Sequence, residues 1–178
     1  ASRLARRREE DGEAAIRHYR KALEVILPGD PEGMWGSVHR WLGALYGGRR
    51  KGSPATNLRA AFRHYEEALR VLTPERHPRE CVLTRWAQGK TQFHAGRSDE
   101  ALKCFGLALE VDPDNAILRW WRADTLCRLD RREEAVEEYQ RAAALEPDEA
   151  GIWRNLGVTL EELQRPEDAA AAFRRARA

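Results

Sequence analysis

The cysteine and histidine side chains of this sequence have types suited to catalysis or metal binding, but their spacing does not assemble a site. His64 begins the segment HYEEA, which lacks the second histidine at the offset that a zinc-binding H-E-x-x-H helix requires. Cys81, Cys104 and Cys127 are odd in number and far apart, whereas disulfide frameworks use even numbers and zinc ligands come in close pairs. We therefore expect reduced, buried thiols, no metal, no cofactor and no enzymatic activity.

A second group of residues has chemistry suited to binding. The segment LRWWRAD, residues 118–124, places two tryptophans between two arginines. Such a group serves as a hydrophobic core, as a platform for stacked bases or as a peptide-binding surface. Nucleic acid is the weaker alternative, because the net charge is only +2 and the basic runs ARRREE and GGRRKGSP fall at a terminus and in a predicted loop. The choice between the other two depends on the helix that carries the tryptophans.

Composition predicts a helical, globular chain. The 178 residues include 42% hydrophobic and 34% charged residues, and Ala, Arg, Glu and Leu dominate, which favours helix. This length suits one domain or one array of repeats. The sequence has no apolar run long enough to cross a bilayer and no start typical of a signal peptide, so we expect a cytoplasmic protein with no membrane partner.

One short pattern recurs five times: a small residue, an aromatic residue four positions later, and an alanine three positions after that. The copies are Ala15/Tyr19/Ala22, Ala61/Tyr65/Ala68, Ala101/Phe105/Ala108, Ala135/Tyr139/Ala142 and Ala169/Phe173/Ala176. Offsets of three and four place each copy on one stripe of a helix. A single pair of helices cannot bury such a stripe alone, so the pattern predicts stacked helical pairs.

The hydrophobic pattern and the turn residues together predict the helices. They are expected near 3–10, 13–27, 34–47, 56–72, 79–95, 98–111, 115–129, 132–145, 149–163 and 166–177. Asp114 and Asp148 are predicted N-caps, Pro166 suits a first helical turn, and Gly96 suits a turn between helices.

The aromatic residues of the five copies are 46, 40, 34 and 34 residues apart, and 34 is the period of the tetratricopeptide repeat. The segment WRNLGVTL, residues 153–160, matches the W-x2-L-G motif of that family, with Leu160 where tyrosine is usual. The segment WLGALY, residues 41–46, keeps the Leu-Gly-x-x-Tyr part, and Pro113 and Pro147 close their repeats. The chain resembles the tetratricopeptide repeat family along nearly its whole length.

The resemblance implies an all-α fold: a right-handed superhelical solenoid of about five helix–turn–helix repeats with a concave groove. The chain would be a single array, with repeats at approximately 1–30, 34–76, 79–113, 115–148 and 149–178. The implied function is that of a protein–protein interaction scaffold or adaptor that binds a partner peptide in the groove. The alternatives are a self-assembly module that associates through the C-terminal repeat, where no polar capping helix is visible, and a regulatory region of a peptidase-linked system.

The peptidase-linked alternative comes from the two longer spacings. The 46 and 40 residues are 34 plus twelve and 34 plus six, with the additions around LPGDPEG, GGRRKGSPAT and TPERHPR. This lengthened pattern, over about residues 13–95, resembles the arrays that accompany bacterial CHAT peptidases, although no peptidase domain is present here. We interpret GGRRKGSP as a mobile, solvated loop.

In the family that the chain resembles, the first helix of each pair lines the groove. Trp120 falls at a groove-facing position, and Trp121 falls nearer to the neighbouring repeat, so we expect Trp120 exposed and Trp121 more buried. The alternative is that both belong to the core between repeats. The candidate groove residues are Arg40, Leu83, Trp86, Lys90, Phe93, His94, Ile117, Trp120, Asp124, Arg128 and Arg154. Their aromatic and basic character favours a peptide with apolar and acidic side chains, although the carboxylate-clamp residues of cochaperones are not matched.

Overall fold

The computed structural model describes residues 3–30 and 33–177, which form helices and no strand. The helices are α1 (Arg3–Ala22), α2 (Met34–Gly47), α3 (Pro54–Val71), α4 (Pro78–His94), α5 (Ser98–Val111), α6 (Ala116–Arg128), α7 (Arg132–Leu145), α8 (Ala150–Glu162) and α9 (Pro166–Arg175). The predicted all-α class is confirmed. Within the described ranges no helix is both long and apolar enough to cross a membrane.

Two compact units divide the chain, Ala1–Thr91 and Gln92–Ala178, and the boundary falls near the end of α4. In the first unit α2 packs against α3, and Tyr65 of α3 is fully buried between Ala61 and Ala68. The Tyr65 ring lies against Gly43 so closely that a Cβ atom there would sit 2.7 Å from ring carbons. The tyrosine hydroxyl is 3.0 Å from Oγ1 of Thr91. The small residue on α2 is thus what admits the aromatic side chain of α3.

The same arrangement recurs in the second unit. Phe105 and Tyr139 are buried, as are the alanines of their triplets. Phe173 of α9 lies over Gly157 of α8, where an added Cβ atom would come within 2.5 Å of the ring. The predicted stripes therefore form the helix-packing surfaces in this unit. The earliest copy differs, because Tyr19 is only half-buried, whereas Ile16 of the same helix is buried.

Two local predictions are wrong. The helices expected at 3–10 and 13–27 form the single helix α1, because Gly12 continues the helix in open space, with nothing within 4 Å of an added Cβ atom. The N-caps of α6 and α8 are Asn115 and Glu149, each one residue after the predicted aspartate. The Asn115 side chain accepts a hydrogen bond from the Leu118 amide at 3.0 Å, which satisfies one of the amides left without a partner at the helix start.

The segment GGRRKGSP, interpreted as a mobile loop, is held by side chains of the first unit. The Arg49 guanidinium donates to Glu13 of α1 at 2.6 and 2.9 Å, and the Arg49 side chain is only 26% exposed. The Asn57 amide donates to the carbonyls of Arg49 and Lys51 at 3.1 and 2.9 Å. These contacts give the loop a defined path, and the Arg49 hydrogen bond holds the pKa of the Glu13 carboxyl below its usual value.

A pair of histidines packs between α2 and α3. Nδ1 of His64 is 3.1 Å from Nδ1 of His39, so one ring donates a hydrogen bond to the other. The His64 ring stacks on Tyr46 with centroids 5.4 Å apart, and the His39 ring lies 4.1 Å from that of Trp35. Burial lowers the pKa of both imidazoles, that of His64 to about 4, where repulsion from His39 and nearby arginines adds to the effect of burial.

This pair predicts a loss of stability in mild acid. Because the pKa of folded His64 lies below its ordinary value of about 6.5, its contribution is complete above pH ~6.5 and is lost as the pH falls towards 4. We expect about 1–2 kcal/mol of the free energy of unfolding to be lost by pH ~4.5, a figure reduced for the partial exposure of the ring. Urea unfolding at neutral and acid pH measures this loss. His64→Gln should make the free energy of unfolding less dependent on pH, whereas His18→Gln, at an exposed position, should not. Equal slopes of the free energy of unfolding against pH for the two variants would refute the prediction.

Candidate functional site

A cleft of about 520 Å³ opens beside α6 in the second unit, and we refer to it as the tryptophan cleft. One wall is a face of α6, and the other is formed by the link after α7 and the start of α8. The residues that line it are Ala116, Ile117, Trp120, Trp121, Asp124, Glu146, Glu149 and Ile152. The α6 residues recur at offsets of three and four, which is why one helix presents all of them on the same side.

Trp121 is the centre of an aromatic cluster. Its ring meets Phe93 edge-on at 5.4 Å between centroids and His94 at 6.0 Å, and it lies at a shallow angle to Phe105 at 6.2 Å. Edge-on and offset arrangements are those that aromatic quadrupoles favour. Trp121 is therefore held in place and contributes part of its ring to the cleft.

Trp120 packs against α8. It joins the hydrophobic cluster of the second unit, and an added Cβ atom at Gly151 would lie 2.6 Å from its ring carbon Cη2. Both tryptophans are half-buried, so the expectation of an exposed Trp120 is wrong. The reason is that Gly151 lets α8 approach closely enough to cover part of the Trp120 ring. The exposed apolar residue of the cleft is Ile117, at 55% exposure.

Asp124 is fixed at the floor of the cleft. Its Oδ1 accepts hydrogen bonds from the Tyr139 hydroxyl and from the Asn155 amide, the latter at 3.0 Å. Burial raises the pKa of the Asp124 carboxyl, and the hydrogen bonds from its neighbours oppose that rise. Burial, followed by the charge of Asp124, raises the pKa of Tyr139, which keeps the phenol protonated as a donor.

The opposite wall is acidic. Glu146 and Glu149 line it, and Glu149 also accepts a hydrogen bond from the Gly151 amide at 3.1 Å as the N-cap of α8. The cleft thus has three carboxylates, and its described lining residues include no lysine or arginine. The sequence reasoning missed both glutamates, because in EPDE they resemble an ordinary solvated link with a capping residue.

The basic candidates lie outside this cleft. In the second unit, Arg128 donates to the Phe93 carbonyl at 2.7 Å, and its guanidinium carbon lies 3.4 Å from the centroid of the Phe93 ring. Arg154 is exposed on α8 and does not line the cleft.

Ile117, Trp120 and Asp124 are the candidates that the cleft brings together, while Phe93 and His94 support Trp121 from beside it.

The candidates of the first unit form pairs of their own. The Lys90 ammonium lies 4.4 Å from the centroid of the Trp86 ring, and the Arg40 guanidinium carbon lies 4.6 Å from that of Trp41. Burial lowers the pKa of Arg40. Leu83 is half-buried on α4. The two cations thus lie over neighbouring indoles, a favourable arrangement for a charge at the face of an aromatic ring.

Comparison with known proteins places the second half of the chain in a described family. The model of that family, described as tetratricopeptide repeat, matches residues 86–138 and 126–178. Curated protein sequences give no match.

Solved structures match nearly the whole chain in fold. A crystal structure of MamA aligns with a TM-score of 0.73 and 17% identity, covering 97% of this chain and 90% of that one. The structure of YrrB, described as a TPR protein with an unusual peptide-binding site, aligns with a TM-score of 0.67 and 20% identity, covering 94% and 77%. At these identities the likeness concerns the fold alone.

Proposed function

The chain belongs to the tetratricopeptide repeat family, and from that premise we propose that it is a protein-interaction module whose tryptophan cleft binds an extended segment of a partner protein. Helical-repeat proteins bind partners on surfaces created by stacked helices. The observation that carries the proposal is the cleft itself, with two anchored tryptophans, the exposed Ile117 and a fixed carboxylate.

The composition of the cleft is that of a protein-binding surface. Aromatic residues are enriched at such interfaces, and partly desolvated pockets supply most of the binding energy. The aromatic cluster around Trp121 and the contact of Trp120 with Gly151 hold the tryptophans in place before a partner arrives, which lowers the entropy cost of binding. The peptide-binding site named for YrrB supports a peptide ligand for this fold.

Three further predictions stay untested. They are self-association, regulation of a linked peptidase, and partner contacts at Arg40, Leu83, Trp86 and Lys90. A mass that rises with protein concentration in light scattering would support self-association. A constant monomer mass would oppose it.

The cleft is tested best at Ile117, because Trp120 also packs in the core and its removal would disturb folding. A random dodecapeptide library displayed on phage is selected against the whole chain, and dissociation constants are measured for the peptides obtained. Ile117→Ser should weaken binding about tenfold, since burial of an isoleucine side chain is worth about 1.5–3 kcal/mol. The control is Val25→Ser, at an aliphatic residue that is 79% exposed outside the cleft. Equal affinities for the two variants, or no selected peptide, would overturn the proposal.

A further inference from the structure

Resting on the proposed function, we infer that the tryptophan cleft recognises its partner segment through a lysine or arginine side chain, which enters between the indole wall and the carboxylates of Asp124, Glu146 and Glu149. The partner chemistry is thus a basic segment of a protein. This reverses the acidic peptide expected from the sequence, because the basic side chains on which that expectation rested lie elsewhere.

The charges of the cleft are the first support. Asp124 supplies a carboxylate from α6, and Glu146 and Glu149 supply two more from the facing wall. Two arginines of the second unit donate to other groups, Arg128 to the Phe93 carbonyl and Arg119 to Glu138 at 3.2 Å, and the charge of Arg128 also acts on Asp124. An entering cation meets attraction from both walls, whereas an entering carboxylate meets repulsion from both.

The apolar surface is the second support. Lysine and arginine carry long hydrocarbon stems that pack on apolar surfaces while the charge stays at the tip. Ile117 and the two indoles offer such a surface, and the face of an indole also attracts a cation. The cleft therefore complements both parts of a lysine or arginine side chain, which neither an acidic nor a purely aliphatic side chain would use in full.

The position of Asp124 is the third support. A carboxylate that accepts from Tyr139 and Asn155 is fixed in direction before binding. The hydrogen bond from Asn155 and the short contact with the Tyr139 hydroxyl both end on Oδ1, and the Trp120 side chain is a further hydrogen-bond partner of this carboxylate. A fixed acceptor at the floor of a cleft favours one depth of insertion, which is how a single charged side chain is selected.

The experiment uses peptides from the same dodecapeptide library. In each, every arginine is replaced in turn by citrulline and every lysine by acetyl-lysine, which remove the charge and keep most of the shape. The replacement of the side chain that enters the cleft should weaken binding about tenfold. Replacements at the other positions of the same peptide should change the dissociation constant less than about twofold. Glu146→Gln in the protein should weaken the parent peptide about two- to fivefold and reduce the effect of the sensitive replacement. The matched control is Glu133→Gln, at an exposed glutamate of α7 that does not line the cleft.

The outcomes separate the two proposals. Two results would overturn the selection of a cationic side chain and leave the interaction cleft standing. In the first, peptides whose binding depends on Ile117 tolerate the loss of every positive charge. In the second, such peptides bind equally to the Glu146→Gln and Glu133→Gln variants. A library that gives no peptide dependent on Ile117 would overturn both. Affinity that falls with added sodium chloride for the wild type, and falls less for Glu146→Gln, supports the charge-based selection.

Discussion

Replacing Phe105 with alanine is expected to lower the free energy of unfolding of the second unit by about 3–5 kcal/mol. The phenylalanine is fully buried between the alanines of its triplet and lies 6.2 Å from the Trp121 ring. The smaller side chain loses the burial of the ring and leaves a cavity, because backbones spaced by alanines are already close and collapse only partly. Trp121 loses one wall of its cluster, so peptide binding should weaken as well.

Urea unfolding of the whole chain, followed by circular dichroism and tryptophan fluorescence, measures the loss. Lys103→Ala is the matched control, because it removes an exposed side chain from the same helix and should change the stability by less than about 0.5 kcal/mol. A loss below about 1 kcal/mol for Phe105→Ala would show that the predicted stripe is not the packing surface of α5.

Replacing Glu138 with alanine is expected to cost about 3 kcal/mol, although glutamate on a helix is usually a solvated residue. Its side chain is only 5% exposed and accepts from Arg119 at 3.2 Å, Arg122 at 3.4 Å and Arg141 at 3.0 Å. Without this carboxylate, the Arg119 guanidinium stays largely buried with its positive charge uncompensated. Removing one member of a buried ion pair costs more than the pair itself contributes, because the remaining charge keeps its desolvation penalty.

Glu137 provides the control on the neighbouring position of α7. Its side chain is 66% exposed and pairs with Arg141 at 3.6 Å, so Glu137→Ala should change the free energy of unfolding by less than about 0.5 kcal/mol. The Glu138 effect should persist in 1 M salt, because a buried pair is screened much less than an exposed one. Equal losses for the two alanine variants in chemical denaturation would contradict the buried network.

The helices and their packing stripes could be predicted because they depend on local patterns. The triplet around Phe105 has the spacing of one helical face, and such a face must be buried whatever its neighbour is. Local patterns also led to one incorrect helix boundary, in α1. The helices expected at 3–10 and 13–27 are one helix, because Gly12 lies in open space, where a glycine only lowers helix propensity, and the surrounding residues continue the helix.

The tryptophan cleft depends on both the local sequence pattern and the tertiary packing. The sequence by itself determined that Trp120 and Trp121 share a helix and diverge by about 100°. Only the tertiary structure decided how much of each ring is covered, because that depends on the approach of α8 at Gly151 and on Phe93 and Phe105.

The charge of the cleft was decided by the tertiary structure alone. Glu146 and Glu149 lie more than twenty residues after Trp121, in a link whose local pattern indicates only a turn and a cap. Packing of α8 beside α6 brings them opposite Asp124, while Arg128 turns towards Phe93. The physical reason is that periodicity indicates which side of its own helix a residue occupies. The sign of the net charge in a cleft depends instead on which side chains of other elements face it.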